Sequence, residues 1–137
     1  MNRTLSILLV EDDPDDIELM EDALKGNHIP FYLETIKQGD AVLPYLESAV
    51  NYPDVIVLDL NLPKMHGREV LKSIKSRPAI SSIPVVILTT SSSKKEIDYC
   101  MQNGAEEYLI KPVTLEGFAE TIAAIVKVAM KKQKFNV

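Results

Sequence analysis

Apolar residues follow two patterns along this chain: short unbroken runs, and stripes in which they recur every three or four residues. The unbroken runs are Leu5–Val10, Val55–Leu58 and Val85–Leu88. An apolar run of this length is typical of a strand that other elements cover on both faces, as in a parallel sheet. In Phe31–Ile36, apolar and polar residues alternate more than in the unbroken runs. The segment also contains Glu34, so it predicts an edge strand. Glu107–Ile110 predicts the last strand.

The stripes predict amphipathic helices between the strands. The first helix is predicted to begin at Pro14 with Asp13 as its N-cap, and its stripe is Ile17, Met20 and Leu24. The other helices are predicted from Gly39–Asp40 to about Ser48, over Arg68–Ser76, from the capping box Ser93–Glu96 to Gly104, and after Thr114 as N-cap. The inner faces of the last two are predicted to contain Ile97, Cys100 and Met101, and Leu115, Phe118, Ile122 and Ile125.

Five strands that alternate with five helices predict an α/β protein, a three-layer sandwich whose parallel sheet is covered on both faces. At 137 residues the chain is expected to form one domain over residues 1–137, with its core at about 4–130 and no output domain. Hydrophobic residues make up 46% and charged residues 26%, the mix of an ordinary globular domain.

Charge and composition exclude several classes of protein. We expect no membrane partner, because no apolar run has membrane-spanning length, and no signal peptide, because the first apolar segment runs straight into acids. The single cysteine, Cys100, indicates a reducing compartment, so we expect a cytoplasmic protein. A net charge of −5 argues against a nucleic-acid partner.

Polar residues follow four of the predicted strands at the point where each strand ends. They are Glu11 and Asp12, then Asp59, Thr89 and Lys111. The carboxyl ends of parallel strands meet at one rim of the sheet, where ligands bind in open α/β folds. Asp59 alone would be interpreted as a turn cap. Capping does not explain why four strands end in this way, so we expect these side chains to form a site.

Three carboxylates at one rim repel one another, and one lysine cannot neutralise them. Oxygen ligands favour Mg²⁺ over zinc, so the sequence predicts a magnesium site. Together Mg²⁺ and Lys111 would cancel the charges of Glu11, Asp12 and Asp59. The site could then receive a phosphoryl group, with one carboxylate as nucleophile and with Thr89 and Lys111 as partners of the phosphoryl oxygens.

These residues match the receiver domain of two-component response regulators, which the chain resembles over almost its whole length. The matching motifs are Glu11-Asp12, Asp59-x-Asn61-x-Pro63, Gly67, Thr89 and Lys111-Pro112. Two stretches also resemble the small stand-alone receivers that partner bacterial phytochromes, and they read DLNLPKMHGREVL and PVVILTTS. The resemblance implies a flavodoxin-like sheet with strand order 2-1-3-4-5.

The resemblance also implies a role for each matched residue. Asp59 would be the phosphoacceptor, and Asp12 and Asp59 would ligate Mg²⁺ directly. Asn61 would ligate it through its backbone carbonyl and Glu11 through water. Lys111 would pair with the phosphoryl group, and its bond to the following proline would be a cis peptide.

The same resemblance implies a conformational switch. Thr89 would move toward the phosphoryl group, and Tyr108 would follow it inward or outward; simple packing of Tyr108 on a terminal strand is the alternative. Asn61 and Ser91 would tune the lifetime of the phosphorylated state. The switching face would be the last strand and the last two helices, which would also form a homodimer. The expected partner is a sensor histidine kinase of the phytochrome type, or a phosphotransfer protein.

Two other classes of function are weighed against this switch. A Mg²⁺-dependent phosphoesterase or nuclease also uses a strand-end Glu with an Asp-x-Asp motif, but Asn61 replaces the second Asp here. A constitutive interaction module would keep the fold without phosphorylation, but the acidic set is complete. We therefore expect a signalling switch that catalyses only its own phosphotransfer and dephosphorylation, rather than an enzyme.

Other polar residues are given structural roles. Asp13 is expected to cap the first helix, and Asp15 and Asp16 to be solvated acids in its first turn. His66 is expected at the surface, where it could tune Asp59, and Cys100 is expected in the core.

Overall fold

A computed structural model describes residues 4–134 of the chain. Its strands are β1 (Leu5–Val10), β2 (Phe31–Ile36), β3 (Val55–Leu58), β4 (Val85–Thr89) and β5 (Glu107–Ile110). Its α-helices are α1 (Pro14–Lys25), α2 (Val42–Ser48), α3 (Gly67–Lys75), α4 (Lys94–Gln102) and α5 (Leu115–Lys134), and a 3-10 turn at Gly39–Ala41 precedes α2. Strands and helices alternate as predicted. Residues 1–3 and 135–137 of the predicted domain lie outside the described residues.

The strands form one parallel sheet in the order β2-β1-β3-β4-β5. This is the flavodoxin-like order, so the predicted fold is confirmed. Leu58, the last residue of β3, lies opposite Val10 on one side and Ile87 on the other. On the far side of β4, Thr89 lies opposite Ile110 of β5. Because the neighbouring strands end nearly level, the residues that follow them share one rim.

An apolar layer covers each face of the sheet. On one face, residues of β1, β3 and β4 pack against α2, α3 and α4, and the buried set includes Leu58, Ile87, Val70, Leu71 and Cys100. On the other face they pack against α1 and α5, and the set includes Val57, Val86, Met20, Leu24, Ile122 and Ile125. Each such side chain contributes roughly 1.5–3 kcal/mol when fully buried. The core therefore holds the sheet from both sides, and Cys100 lies in it as predicted.

The helices begin where their capping residues predict. Side-chain oxygens of Asp13, Ser93 and Thr114 accept backbone N–H groups in the first turns of α1, α4 and α5, at 2.9, 3.4 and 3.0 Å. Pro44 is the third residue of α2. A proline is tolerated there, because N–H groups in the first turn have no partner within the helix.

Two residues predicted to face inward are exposed. Met101 of α4 is 43% exposed, and α4 instead packs Tyr99 beside Cys100 against the core. Leu115 is 74% exposed. It is the first residue of α5 and precedes the buried part of the helix, which begins at Phe118 and joins the core on the sheet at Ile122 and Ile125. The helical stripe continues through Leu115, but the buried core does not reach this residue.

The peptide bond between Lys111 and Pro112 is trans, since no cis bond occurs among the described residues. The cis bond implied by the resemblance is therefore wrong for this structure. Trans is the lower-energy isomer of an X–Pro bond by about 0.5–1 kcal/mol.

Within residues 4–134, no helix is both long enough and apolar enough to span a bilayer.

Candidate functional site

The candidate site lies at the rim formed by the carboxyl ends of β1, β3, β4 and β5. Backbone hydrogen bonds continue the sheet past the strand ends. The N–H of Asp59 donates to the last carbonyl of β1 at 3.1 Å, and the N–H of Glu11 to the last carbonyl of β2 at 3.0 Å. The N–H of Lys111 donates to the carbonyl of Thr89 at 2.8 Å. These bonds fix the point at which each side chain leaves the backbone, so the predicted residues are brought together.

Lys111 is at the centre of the charged groups. Its ammonium contacts Oε1 of Glu11 at 2.7 Å, Oδ2 of Asp16 at 2.8 Å and Oδ2 of Asp59 at 3.1 Å. The Lys111 side chain is only 11% exposed. At that burial, the ammonium depends on the carboxylates rather than on water for its hydrogen bonds.

Asp16 was predicted to be a solvated acid, and this prediction is wrong. It lies in the first turn of α1 and its side chain is 26% exposed. Its contact with Lys111 joins residues 95 positions apart in the sequence. The local signal of a helix-start acid is the same for Asp15 and Asp16. Only the position of the first turn of α1 relative to Lys111 distinguishes them, so the sequence pattern held no signal for this contact.

Glu11, Asp12 and Asp59 form a group that could hold a metal ion. Each offers one carboxylate oxygen, and these oxygens lie within 4.8 Å of one another. Glu11 and Asp59 are buried, whereas Asp12 is exposed. Hard carboxylate oxygens on a partly open rim suit Mg²⁺, which retains several waters when it binds proteins. The donor set therefore fits the predicted magnesium site.

Burial shifts the protonation of the charged groups. Desolvation, together with the negative charge of Asp59, raises the pKa of Glu11 from 4.5 to about 7, although hydrogen bonds from Lys111 and from the Asp13 N–H act in the opposite direction. Desolvation would lower the pKa of Lys111. Hydrogen bonds to Asp16 and Glu11 outweigh it, so the pKa of Lys111 is raised above its ordinary value. The site is thus short of positive charge, as expected for a site that binds a cation.

The loop from β3 to α3 holds Asp59 in place. The N–H of Leu60 donates to Oδ1 of Asp59 at 2.7 Å, so both carboxylate oxygens have partners. The N–H of Gly67 donates to the carbonyl of Leu60 at 2.8 Å and closes the loop. Lys64 adopts a positive φ of 73° at its tip. This compact loop carries Asn61, which is exposed two residues after Asp59.

Thr89 and Tyr108 are the two residues predicted to act as a switch. Thr89 is fully buried, and its hydroxyl has no hydrogen-bond partner within the part of the chain described. A buried hydroxyl without a partner costs about 1–3 kcal/mol, so the position is unfavourable unless another state satisfies it. The hydroxyl of Tyr108 donates to the carbonyl of Ser91 at 2.8 Å. Tyr108 is half-buried and packs against the core, so it is tied to the loop that leaves β4.

Sequence reasoning missed a link between α3 and α4. Arg68, in the first turn of α3, forms an ion pair with Glu96 at 3.3 Å and lies 5.6 Å from the ring centroid of Tyr99. Next to it, Nδ1 of His66 accepts the N–H of Arg68 at 3.1 Å and caps α3. His66 is thus half-buried and structural, not simply a surface residue. These contacts connect the loop after Asp59 to the helix that follows Thr89.

Comparisons with known proteins agree on one family. The family described as "Response regulator receiver domain" matches residues 7–123. Response regulator Rcp1 from Synechocystis sp. is 37% identical over 124 residues, which cover 87% of this chain and 84% of that protein.

Solved structures give the same result. The phosphorylated cyanobacterial phytochrome response regulator RcpA superposes with a TM-score of 0.86 at 34% identity, over 93% of this chain and 95% of that one. The Mn²⁺-bound form of Rcp1 superposes with a TM-score of 0.80 at 36% identity, over 88% of this chain and 91% of that one. Proteins of similar sequence and fold therefore include a phosphorylated regulator and a metal-bound one.

Proposed function

Because this chain belongs to the response regulator receiver domain family, whose members are signalling switches, we propose that a sensor histidine kinase phosphorylates it on Asp59. The observation that carries the proposal is the position of Asp59. Its buried carboxylate lies between a lysine ammonium and two further carboxylates at one sheet rim. A turn cap would need neither the lysine nor the other acids.

The proposed reaction transfers a phosphoryl group from a phosphohistidine to Asp59. A carboxylate oxygen of Asp59 forms the new O–P bond with a lone pair, while the N–P bond breaks and its electron pair returns to the imidazole. Lys111 neutralises charge on the phosphoryl oxygens, and the rim holds the acceptor in line. Later attack by water on phosphorus releases phosphate and restores the carboxylate. The chain catalyses both steps on itself, so it is a switch rather than an enzyme with a separate substrate.

Mg²⁺ is the proposed cofactor. Asp12 and Asp59 would bind it directly, Asn61 would bind it through its backbone carbonyl and Glu11 through water. When bound, Mg²⁺ would supply the positive charge that lets this acidic site accept an anionic phosphoryl group. The Mn²⁺-bound form of the similar protein Rcp1 supports a divalent metal as cofactor.

The proposed switch begins at Thr89. Its buried hydroxyl would gain a hydrogen-bond acceptor in the phosphoryl group, and the loop from β4 to α4 would move with it. This loop carries Ser91, whose carbonyl Tyr108 binds, so the movement would break or shift that hydrogen bond. The change would then spread over β5, α4 and α5. The uncharged side chains of Asn61 and Ser91 are proposed to tune how long the phosphoryl group survives.

The proposed partner is a phytochrome-type histidine kinase, because the similar proteins include phytochrome response regulators. A phosphotransfer protein is a second candidate donor or acceptor. We place the reaction in the cytoplasm, where such kinases are phosphorylated by ATP, and we propose no nucleic-acid partner for a chain with a net charge of −5.

A homodimer is also proposed, through β5, α4 and α5. Large apolar side chains are exposed on or beside these elements, namely Met101, Ile110, Val113 and Leu115. Exposed apolar side chains on neighbouring elements such as α4 and β5 support an interface on this face. Light scattering with and without phosphodonor tests this part: two chains per particle support it, and a single chain under both conditions contradicts it.

Transfer from a labelled kinase tests the phosphorylation. A phytochrome-type kinase carrying radioactive phosphohistidine is mixed with the wild type, with Asp59→Asn and with the control Asp13→Asn, which retains a capping side chain. We expect label to move to the wild type and the control within minutes, only with Mg²⁺ present. Transfer to Asp59→Asn, or equal transfer in EDTA, would overturn the proposal.

A further inference from the structure

Lys111 binds one carboxylate that does not belong to the candidate metal site. Oδ2 of Asp16 lies 2.8 Å from its ammonium, closer than Oδ2 of Asp59 at 3.1 Å. The other two partners of the ammonium, Glu11 and Asp59, are both members of the metal-binding group. Asp16 is not a member of that group, and α1 holds it at the side of the rim. The ammonium is therefore shared between the metal-binding carboxylates and an acceptor outside them.

We propose that Asp16 is a positioning residue that draws the ammonium of Lys111 partly away from Glu11 and Asp59 and so raises their affinity for Mg²⁺. The inference rests on the proposed function, because it assumes that these carboxylates bind Mg²⁺.

The physical reason is competition between two cations for the same oxygens. Lys111 and Mg²⁺ both require the carboxylates of Glu11 and Asp59, and like charges in one partly buried site repel each other. An ammonium held only by Glu11 and Asp59 would have to be displaced before Mg²⁺ could bind. Asp16 lowers the cost of that displacement, because Lys111 retains one strong hydrogen bond when it moves aside.

Asp16 also keeps Lys111 close to the rim after the ammonium has moved aside. When Asp59 carries a phosphoryl group, the ammonium is still within reach of the phosphoryl oxygens. The negative charge of Asp16 also attracts Mg²⁺ directly, and this raises the affinity for Mg²⁺ just as drawing Lys111 aside does. Loss of the Asp16 charge should therefore weaken Mg²⁺ binding for two reasons: Lys111 competes more strongly for Glu11 and Asp59, and the direct attraction is lost. Only the first of these needs Lys111.

Isothermal titration with Mg²⁺ alone tests the inference without any phosphorylation. Asp15→Asn is the matched control, because Asp15 is an exposed acid in the same turn of α1 whose carboxylate has no contact with Lys111. We expect Asp16→Asn to raise the dissociation constant for Mg²⁺ roughly fivefold, a change of about 1 kcal/mol. We expect Asp15→Asn to change it less than about twofold, as for a screened surface charge.

A double-mutant cycle with Lys111→Met separates the two effects of Asp16. With methionine at position 111 there is no ammonium to draw aside, so Asp16→Asn should weaken Mg²⁺ binding less than it does in the wild type. An equal effect in both backgrounds would show that Asp16 acts through its charge alone and would overturn the inference. If Lys111→Met does not fold, Lys111→Gln replaces it in the cycle, and equal effects of Asp16→Asn with lysine and with glutamine at position 111 overturn the inference.

The outcomes also separate this inference from the proposed function. If the wild type binds Mg²⁺ and only the Asp16 effect is missing, the inference fails and the proposed function stands. If the wild type does not bind Mg²⁺ at millimolar concentrations, both fail.

Discussion

Gly67 packs directly against the backbone of Asp59. A Cβ atom at position 67 would overlap the carbonyl oxygen of Asp59 and lie only 2.6 Å from Cα of Leu60. The chain therefore turns back on the candidate phosphoacceptor at a distance that only glycine permits. The backbone of Asp59 is thus fixed from one side by the sheet and from the other by the first residue of α3.

Gly67→Ala tests how tightly this contact holds the site. We expect it to lower the free energy of unfolding by about 1–3 kcal/mol, because the backbone of either Asp59 or α3 must move to admit the methyl group. Gly26→Ala is the control, because the nearest atoms to its Cβ would lie at 3.7 and 3.8 Å and its φ is −78°. The control should be neutral or stabilising in urea unfolding. Equal losses for both variants would contradict the close approach.

Thr89→Val should stabilise the unphosphorylated protein. Its hydroxyl is buried and has no hydrogen bond among residues 4–134, so replacing it by a methyl group should raise the free energy of unfolding by about 1 kcal/mol. Thr121→Val is the opposite case, because the buried hydroxyl of Thr121 donates to the carbonyl of Gly117 at 3.0 Å. Thr121→Val should lower the free energy of unfolding by about 1 kcal/mol. Urea unfolding of the two variants should thus give changes of opposite sign, and losses in both would refute the prediction for Thr89.

Tyr108→Phe removes the hydrogen bond to the carbonyl of Ser91 and leaves the ring in place. We expect a loss of about 0.5–1.5 kcal/mol in the free energy of unfolding. Backbone amide exchange in the loop from β4 to α4 should rise, because Tyr108 ties that loop to β5. Tyr52→Phe, at an exposed tyrosine, should change neither quantity. Unaltered exchange in Tyr108→Phe would show that the hydrogen bond does not hold the loop.

Glu11 predicts a pH dependence of stability in the metal-free protein. Its pKa is raised to about 7 in the folded state from an ordinary 4.5, so the folded state binds more protons than the unfolded state between these values. The contribution of Glu11 to the free energy of unfolding is therefore fully present below about pH 4.5. It falls as the pH rises through 7, by roughly 3 kcal/mol at most. In EDTA, unfolding between pH 5 and 7.5 should show this fall in the wild type, and Glu11→Gln should flatten it. Parallel curves would mean that Glu11 does not titrate in this range.

The sequence predicted the fold well because its signals are local. Each apolar run, capping residue and helix breaker involves only a few neighbouring residues. The strands and helices occur close to the predicted bounds. The rim residues could also be predicted, because any side chain that follows a parallel strand must reach the same edge. Chain order and strand ends were enough to bring Glu11, Asp59, Thr89 and Lys111 together.

What could not be predicted depends on how one element lies beside another. Asp16 and Asp15 are alike in sequence, and only the way the folded chain brings the first turn of α1 to Lys111 selects Asp16. Leu115 continues the apolar stripe of α5, but whether the core reaches it is not a property of the stripe. Asp16 and Leu115 both lie in the first turn of their helices, where the contacts of a side chain depend on the neighbouring elements.

The central claim is that Asp59 itself becomes an acyl phosphate, and reductive trapping tests it most directly. The protein is incubated with Mg²⁺ and acetyl phosphate, then treated with borohydride, which reduces an aspartyl phosphate to homoserine, and its peptides are sequenced by mass spectrometry. We expect homoserine at position 59, absent when Mg²⁺ is removed by EDTA. Homoserine at another acid such as Asp12, or none at position 59 in a protein that has incorporated phosphate, would contradict the claim.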